Sequence, residues 1–231
     1  METLSKNRLA YLRKFLKKKI RREFRKCLIE GEKLCLEALN NGYEIEILLY
    51  VVGKGRSFNR IIEHTGVKQV CRTTDKITGS LSEVESPQGI IGLVSIPAPG
   101  IAPGSGDHSR YLALDSIADP GNMGTILRTA SWYGIDGVIC SEKCAEILNG
   151  KVVRSSMGAV FHLNIWENIR LTDTLASLKK TGFQVIGSIP RGGKESMDIS
   201  GKSVVVIGSE ARGLSDDILK ICNDKVSIKG R

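Results

Sequence analysis

Asp119-Pro120-Gly121-Asn122-Met123-Gly124-Thr125-Ile126-Leu127-Arg128-Thr129-Ala130 places an amide, two glycines and an arginine at the mouth of a helix. Pro120 and Gly121 break a strand that ends near Leu114 and Asn122 caps the helix that follows. Met123, Ile126, Leu127 and Ala130 keep the i, i+3, i+4, i+7 spacing of a buried face. Arg128 falls off that stripe. Taken alone, a capped helix with one arginine is as readily a packing element as a site.

A second stretch shifts the balance. Val204-Val205-Val206-Ile207-Gly208-Ser209-Glu210-Ala211-Arg212-Gly213-Leu214-Ser215 is an apolar strand running into a loop with two glycines, an acid and an arginine, after which Ser215 caps a short helix. With both segments in view, the chain resembles the SpoU (TrmH-type) branch of the SPOUT superfamily, RNA 2′-O-ribose methyltransferases that use S-adenosylmethionine. Asn122 to Ala130 is similar to the first motif of that family, and Ile207 to Leu214 to the second. Lys151 to Phe161, and Arg22 to Arg25 through Glu30 to Lys33, agree with the same resemblance, which covers nearly the whole chain.

The resemblance implies a catalytic set of Arg128, Asn122 and Glu210 and a cofactor-lining set of Ser188, Ile189, Gly208, Glu210, Gly213 and Ile228. It assigns Arg128 to activating the 2′-hydroxyl. A guanidinium stays protonated in proteins, so the chemistry favours Arg128 as a stabiliser of the developing alkoxide and an anchor for the neighbouring phosphate, the proton leaving to that phosphate or to water. An ion pair with an acid such as Asp119 is the plainer alternative for Arg128, a tight strand-to-helix turn for Gly208 and Gly213, and a surface charge for Arg154, whose family position contacts RNA or phosphate. The family's third motif, a Ser-Leu-Asn segment opening a long helix, belongs after Val226 to Gly230, where this sequence stops at Arg231. That segment completes the cofactor pocket, a deep trefoil knot and the dimer interface in the family. The expectation is therefore a C-terminally truncated version of a longer protein, with the knot incomplete within this sequence.

Composition accords with an RNA partner. The formal net charge is +9 and the pI about 9.3, and neutralising phosphates releases counterions. Lys14, Lys17, Lys18, Lys19, Arg21, Arg22, Arg25 and Lys26 crowd one run, opposed only by Glu23, with Tyr11, Phe15 and Phe24 interleaved. A solvated helix face is the bland account of such a run; before a methyltransferase-like domain, RNA contact is the better one. Arg21, Arg22, Arg25, Lys26, Arg154 and Arg212 are the expected RNA-binding residues. Cys27, Cys35, Cys71, Cys140, Cys144 and Cys222 lack C-x-x-C spacing and read as free thiols, with no metal expected. No apolar segment reaches the length of a membrane span and no signal peptide is legible, so no membrane partner and a cytoplasmic location are expected.

The segment Pro97 to Gly106 holds half of the six prolines and no periodic apolar residues. It separates an expected RNA substrate-binding domain (1–97) and a Pro/Gly linker (98–109) from a SpoU-type domain (110–231). The first domain reads as a small α/β module opened by a basic helix. In the second, strands at Tyr111 to Leu114, Val138 to Cys140, His162 to Ile165, Gln184 to Ser188 and Ser203 to Ile207, spaced by helices, predict a doubly wound, mainly parallel sheet that binds ligands off its carboxyl ends. The function expected is methyl transfer to a ribose 2′-hydroxyl of RNA by a homodimer. Ribosomal RNA is favoured because the N-terminal resemblance is to ribosomal-RNA members, and a transfer-RNA enzyme is the alternative. A catalytically silent RNA-binding protein of the same fold is the second reading. A nucleotide-dependent dehydrogenase ranks far behind, for want of a G-x-G-x-x-G turn.

Overall fold

The computed structural model describes residues 2–54, 58–100, 102–105, 110–199 and 201–228. In chain order the elements are β1 (Glu2–Thr3), α1 (Lys6–Lys14), α2 (Lys18–Phe24), β2 (Lys26–Glu30), α3 (Glu32–Asn40), β3 (Ile45–Val51), α4 (Phe58–Ile62), β4 (Val70–Thr73), α5 (Asp75–Leu81) and β5 (Ile90–Ser95). Then follow β6 (Arg110–Asp115), α6 (Pro120–Trp132), β7 (Gly137–Ser141), α7 (Gly150–Ser155), a 3₁₀ turn (Ala159–Phe161), β8 (Asn164–Ile169), α8 (Leu171–Lys180), β9 (Gln184–Ser188), β10 (Ser203–Gly208), α9 (Asp216–Ile221) and β11 (Asp224–Val226). They form two compact units, Met1–Pro97 with Ile147–His162, and Ala98–Glu146 with Leu163–Arg231. Of the Pro/Gly linker 98–109, positions 101 and 106–109 lie outside the described residues, as do positions 229–231 before the expected third motif.

The first unit is built on a five-stranded sheet of order β1-β4-β3-β5-β2. Its central strand, Ile45-Glu46-Ile47-Leu48-Leu49-Tyr50-Val51, is a nearly continuous apolar run because helices cover both faces. The basic run expected as one helix is two. Leu12 and Phe15 are buried, the chain breaks at 15–17, and α2 ends where Arg25 adopts φ 51°. Arg21 is turned inward, 6% exposed, and its Nη1 donates to the carbonyls of Phe15 (3.1 Å) and Leu16 (2.9 Å). Those carbonyls follow the last turn of α1, where no helical N–H reaches them, so the guanidinium satisfies them instead. The segment from α7 to Phe161 belongs to this unit although it lies between β7 and β8 in sequence; Gly158 must be glycine there, with φ 90° and a Cβ position 2.5 Å from Glu37 Cγ.

The second unit is a six-stranded, wholly parallel sheet of order β11-β9-β10-β6-β7-β8. Leu171, Leu175 and Leu178 of α8 pack with Leu214, with Ile218 of α9, and with Tyr111, Ile139 and Trp166 in one core. From β6 the chain steps to β7 and β8 on one side; from β10 it steps to β11 on the other. The carboxyl ends of the adjacent strands β6 and β10 therefore bound the crevice where doubly wound sheets bind ligands.

Candidate active site

β6 and β10 pair in register to their last residues, Asp115 opposite Gly208. Each then feeds one of the two motif loops. The helix cap is Asp119 rather than Asn122: its carboxylate accepts the N–H of Asn122 at 2.8 Å, and Pro120 fills the first helical position, where its missing N–H costs nothing. That assignment leaves the Asn122 side chain for other work. Its Nδ2 donates to Glu210 Oε1 at 2.5 Å, joining the first motif to the second across 88 positions of sequence. Asn122, Thr125 and Ile126 on one side and Ile207, Gly208 and Glu210 on the other wall a cavity of about 440 Å³. Ile126, expected in the buried face, is half-buried because it faces this cavity, and Gly124 takes its place in the core beside Met123, Leu127 and Ala130.

The second loop folds back on its own strand. A Cβ at Gly208 would lie 2.1 Å from the carbonyl carbon of Gly213, the Gly213 N–H donates to Ser209 O at 2.8 Å, and Gly213 has φ 67°. Both glycines are thus needed for the turn itself, which lifts Glu210 over the strand end toward Asn122. Asp115 and Ser116, missed by sequence reasoning, hold the far end of the loop. The Asp115 carboxylate accepts the Ser116 hydroxyl (3.0 Å) and the N–H of Ser215 (3.1 Å), the residue that opens α9. Ser116 stands at φ 62°, and its N–H donates to Ser141 Oγ at 2.9 Å. The only sequence signal for them was an acid at the end of an apolar strand.

The expected cofactor residues lie on neighbouring strand ends. Ser188 ends β9 opposite Val226 of β11, Ile189 N–H donates to Val226 O at 2.9 Å, and β9 also pairs with β10. Ser188, Ile189, Gly208 and Ile228 therefore share the carboxyl edge of β10-β9-β11, with Ile228 91% exposed. The donor set fits S-adenosylmethionine: main-chain groups at three adjacent strand ends suit an adenine edge, and the Glu210 carboxylate beside Ile207 and Ile126 suits a cationic sulfonium and its methyl group.

Arg128 is not brought to the cavity wall. It is exposed on α6, about 9 Å along the helix axis from Asn122, and has no hydrogen bond or ion pair among the described residues. Arg212 is likewise exposed on the second loop. In the first unit Arg22 is exposed, Arg25 Nε donates to Ile96 O at 3.1 Å, and Lys26 Nζ meets Glu46 at 2.5 Å, which raises the lysine pKa above its usual value. Arg154 pairs with Glu83 at 3.2 Å. Arg21 is spent on carbonyls in the core, the most deeply buried of the members of the basic run that the fold engages.

Comparison with known proteins agrees with this fold. The SpoU rRNA Methylase family model matches residues 109–231 and the MRM3-like substrate binding domain model residues 6–92. The chain is 29% identical over 225 residues to the 23S rRNA (guanosine(2553)-2′-O)-methyltransferase RlmP of Bacillus subtilis (strain 168), covering 95% of this chain and 86% of that one. Several other curated relatives are spanned over only about half of their own length. A TrmH-family protein from Porphyromonas gingivalis superposes with a TM-score of 0.85 at 28% identity, over 99% of this chain and 90% of the other. An AdoMet-bound rRNA methyltransferase from Sinorhizobium meliloti superposes with a TM-score of 0.81 at 26% identity, over 100% and 88%. The paired motif loops, the parallel sheet that carries them and these matches place the chain in the SpoU rRNA methylase family, whose methyl donor is S-adenosylmethionine.

Proposed function

We propose that this protein transfers a methyl group from S-adenosylmethionine to a ribose 2′-hydroxyl of ribosomal RNA. The observation that carries the reading is the Asn122–Glu210 hydrogen bond over a cavity at the ends of β6 and β10, which makes one site of two motifs distant in sequence. When bound, S-adenosylmethionine supplies an electrophilic methyl group on a sulfonium centre. Ser188, Ile189, Gly208 and Ile228 hold it by main chain and apolar contact, with Gly213 closing the turn behind Gly208. Glu210, fixed by the Asn122 amide, lies where a carboxylate can accept a hydrogen bond from the ribose hydroxyl and orient it for attack. Arg128, exposed and without an ion pair among the described residues, meets a phosphate of the incoming strand and adds positive potential near the ribose oxygen, whose proton passes by way of Glu210 to water.

The first unit, whose residues 6–92 match a substrate-binding model, grips the RNA through exposed cations, among them Lys18, Lys19 and Arg22, with Arg25 adding positive potential. The working form is a homodimer: Trp132 and Tyr133, 86% and 71% exposed at the end of α6, are an apolar pair that a second copy would cover. Among the described residues no helix is long and apolar enough to cross a membrane, and no acid, cysteine and histidine group is arranged to hold a metal. We place the protein in the cytoplasm, with ribosomal RNA. The test is transfer of tritium from labelled S-adenosylmethionine into unmodified ribosomal RNA, with nuclease mapping of 2′-O-methyl positions. Wild type should label ribosomal RNA, and Asn122→Ala or Glu210→Ala should lower kcat about 10²-fold with RNA binding kept. Binding without transfer in the wild type would leave a silent RNA-binding protein, and labelling of transfer RNA alone would move the substrate.

A further inference from the structure

A second cavity, of about 680 Å³, opens on the other side of the motif-two loop. Ser116, Ala118, Ser209 and Ala211 line both cavities, so residues 209–212 form a ridge between them. Glu210 faces the first cavity with Asn122, whereas Arg212 lines the second together with Lys143 after β7 and Arg170 at the start of α8. All three cations are exposed. Lys143 and Arg212 make no ion pair among the described residues, and Arg170 reaches Asp173 only at 3.6 Å, between side chains 77% and 70% exposed. Two acids stand on the same wall, Asp115, which accepts hydrogen bonds from Ser116 and Ser215, and Glu142, so three cations face two anions. Leu171, Leu214 and Ile218, all buried, provide an apolar floor. A rim of cations over an apolar floor, in a space within the usual range for small-ligand sites, suits a nucleotide: phosphate at the rim, base and sugar against the floor.

We propose that this second cavity seats the nucleotide next to the methylated one in the same RNA strand, its phosphate held by Lys143, Arg170 and Arg212. The shared ridge is the reason: a strand presenting its ribose beside Glu210 has its next phosphate carried over residues 209–212 into the cationic side. Which nucleotide is the neighbour rests on the methyltransferase reading, but occupancy by RNA does not.

The experiment compares wild type with Lys143→Ala/Arg170→Ala and Lys143→Glu, both confined to exposed side chains. It measures the slope of log K against log salt for a 12-nucleotide oligouridylate, S-adenosylmethionine affinity by calorimetry, and the KM and kcat for transcribed ribosomal RNA. The expected result is a KM for RNA raised about tenfold, kcat changed less than about twofold, S-adenosylmethionine affinity unchanged, and a salt slope shallower by about 0.7 in the double variant, the share of one single-strand phosphate. An unchanged salt slope and KM would overturn the proposal, as would loss of S-adenosylmethionine affinity, which would make the cavity part of the donor site. If wild type transfers no methyl group yet the slope still falls, the function fails and the binding site stands.

Discussion

Gly208→Ala tests the loop that joins the two motifs. The new Cβ would lie 2.1 Å from Gly213 C, 2.2 Å from Gly213 O and 2.4 Å from Leu214 N, all backbone atoms that no rotamer change can move aside. The loop must open. Opening breaks the Gly213 N–H bond to Ser209 O (2.8 Å) and the Arg212 N–H bond to Ser209 Oγ (3.2 Å), each worth about 1 kcal/mol. With residual overpacking of about 1 kcal/mol the loss is about 2–3 kcal/mol, or roughly 4–12 °C in Tm for a chain of this size. Activity falls further than stability, because Glu210 rides on the displaced turn and its bond to Asn122 is lost; kcat should drop about 10²-fold even at temperatures where the variant is fully folded. Differential scanning calorimetry and the tritium-transfer assay read the two effects separately. A variant within 1 °C of wild type that keeps full kcat would show that the turn is not closed on Gly208 and that the two motif loops do not form one joined site.

Other substitutions separate the roles of the arginines. Arg128→Lys should keep part of the RNA affinity and Arg128→Ala should lower kcat/KM about 10²-fold, while neither moves Tm by more than about 1 °C; a Tm loss of several degrees would make Arg128 structural. Arg21→Ala should behave in the opposite way, because it strands the carbonyls of Phe15 and Leu16: a stability loss of about 2–4 kcal/mol by urea denaturation, with the RNA salt slope unchanged. Arg22→Glu should weaken RNA binding about tenfold at low salt, as judged by filter binding. The Asp224 carboxyl is held below its usual pKa by Lys194 Nζ at 2.6 Å and Gln184 Nε2 at 2.9 Å. A depressed carboxyl contributes stability above its unfolded pKa, near 3.9, that is lost as pH falls through the folded value. Amide protection factors at β11, taken relative to intrinsic exchange at each pH, should therefore fall selectively below about pH 4 and stay constant between pH 5 and 8, and Lys194→Met should shrink the difference to the part that Gln184 supplies.

Much of this molecule was legible in one dimension. Strands such as Tyr111 to Leu114 and Ser203 to Ile207 are apolar runs closed by glycine or acid, so local pattern placed them within a residue or two of β6 and β10. The alternation of strands and helices sufficed for a doubly wound sheet, because parallel strands need crossovers long enough to hold a helix. The two motif loops could be picked out because glycine, proline and asparagine act through their own backbone chemistry. What the sequence could not carry was choice among competing partners. Asp119 and Asn122 are both good caps; only the folded loop shows that Asp119 takes the N–H and frees Asn122 for Glu210. Arg21 and Arg22 are adjacent and chemically alike, yet the bend at 15–17 turns one inward onto carbonyls and the other to water. Residues 151–161 read as part of the second half, and packing places them in the first unit. Local propensity and periodicity depend on near neighbours and are written along the chain. Partner selection and burial depend on which distant groups meet at the strand ends, and only the tertiary fold decides that.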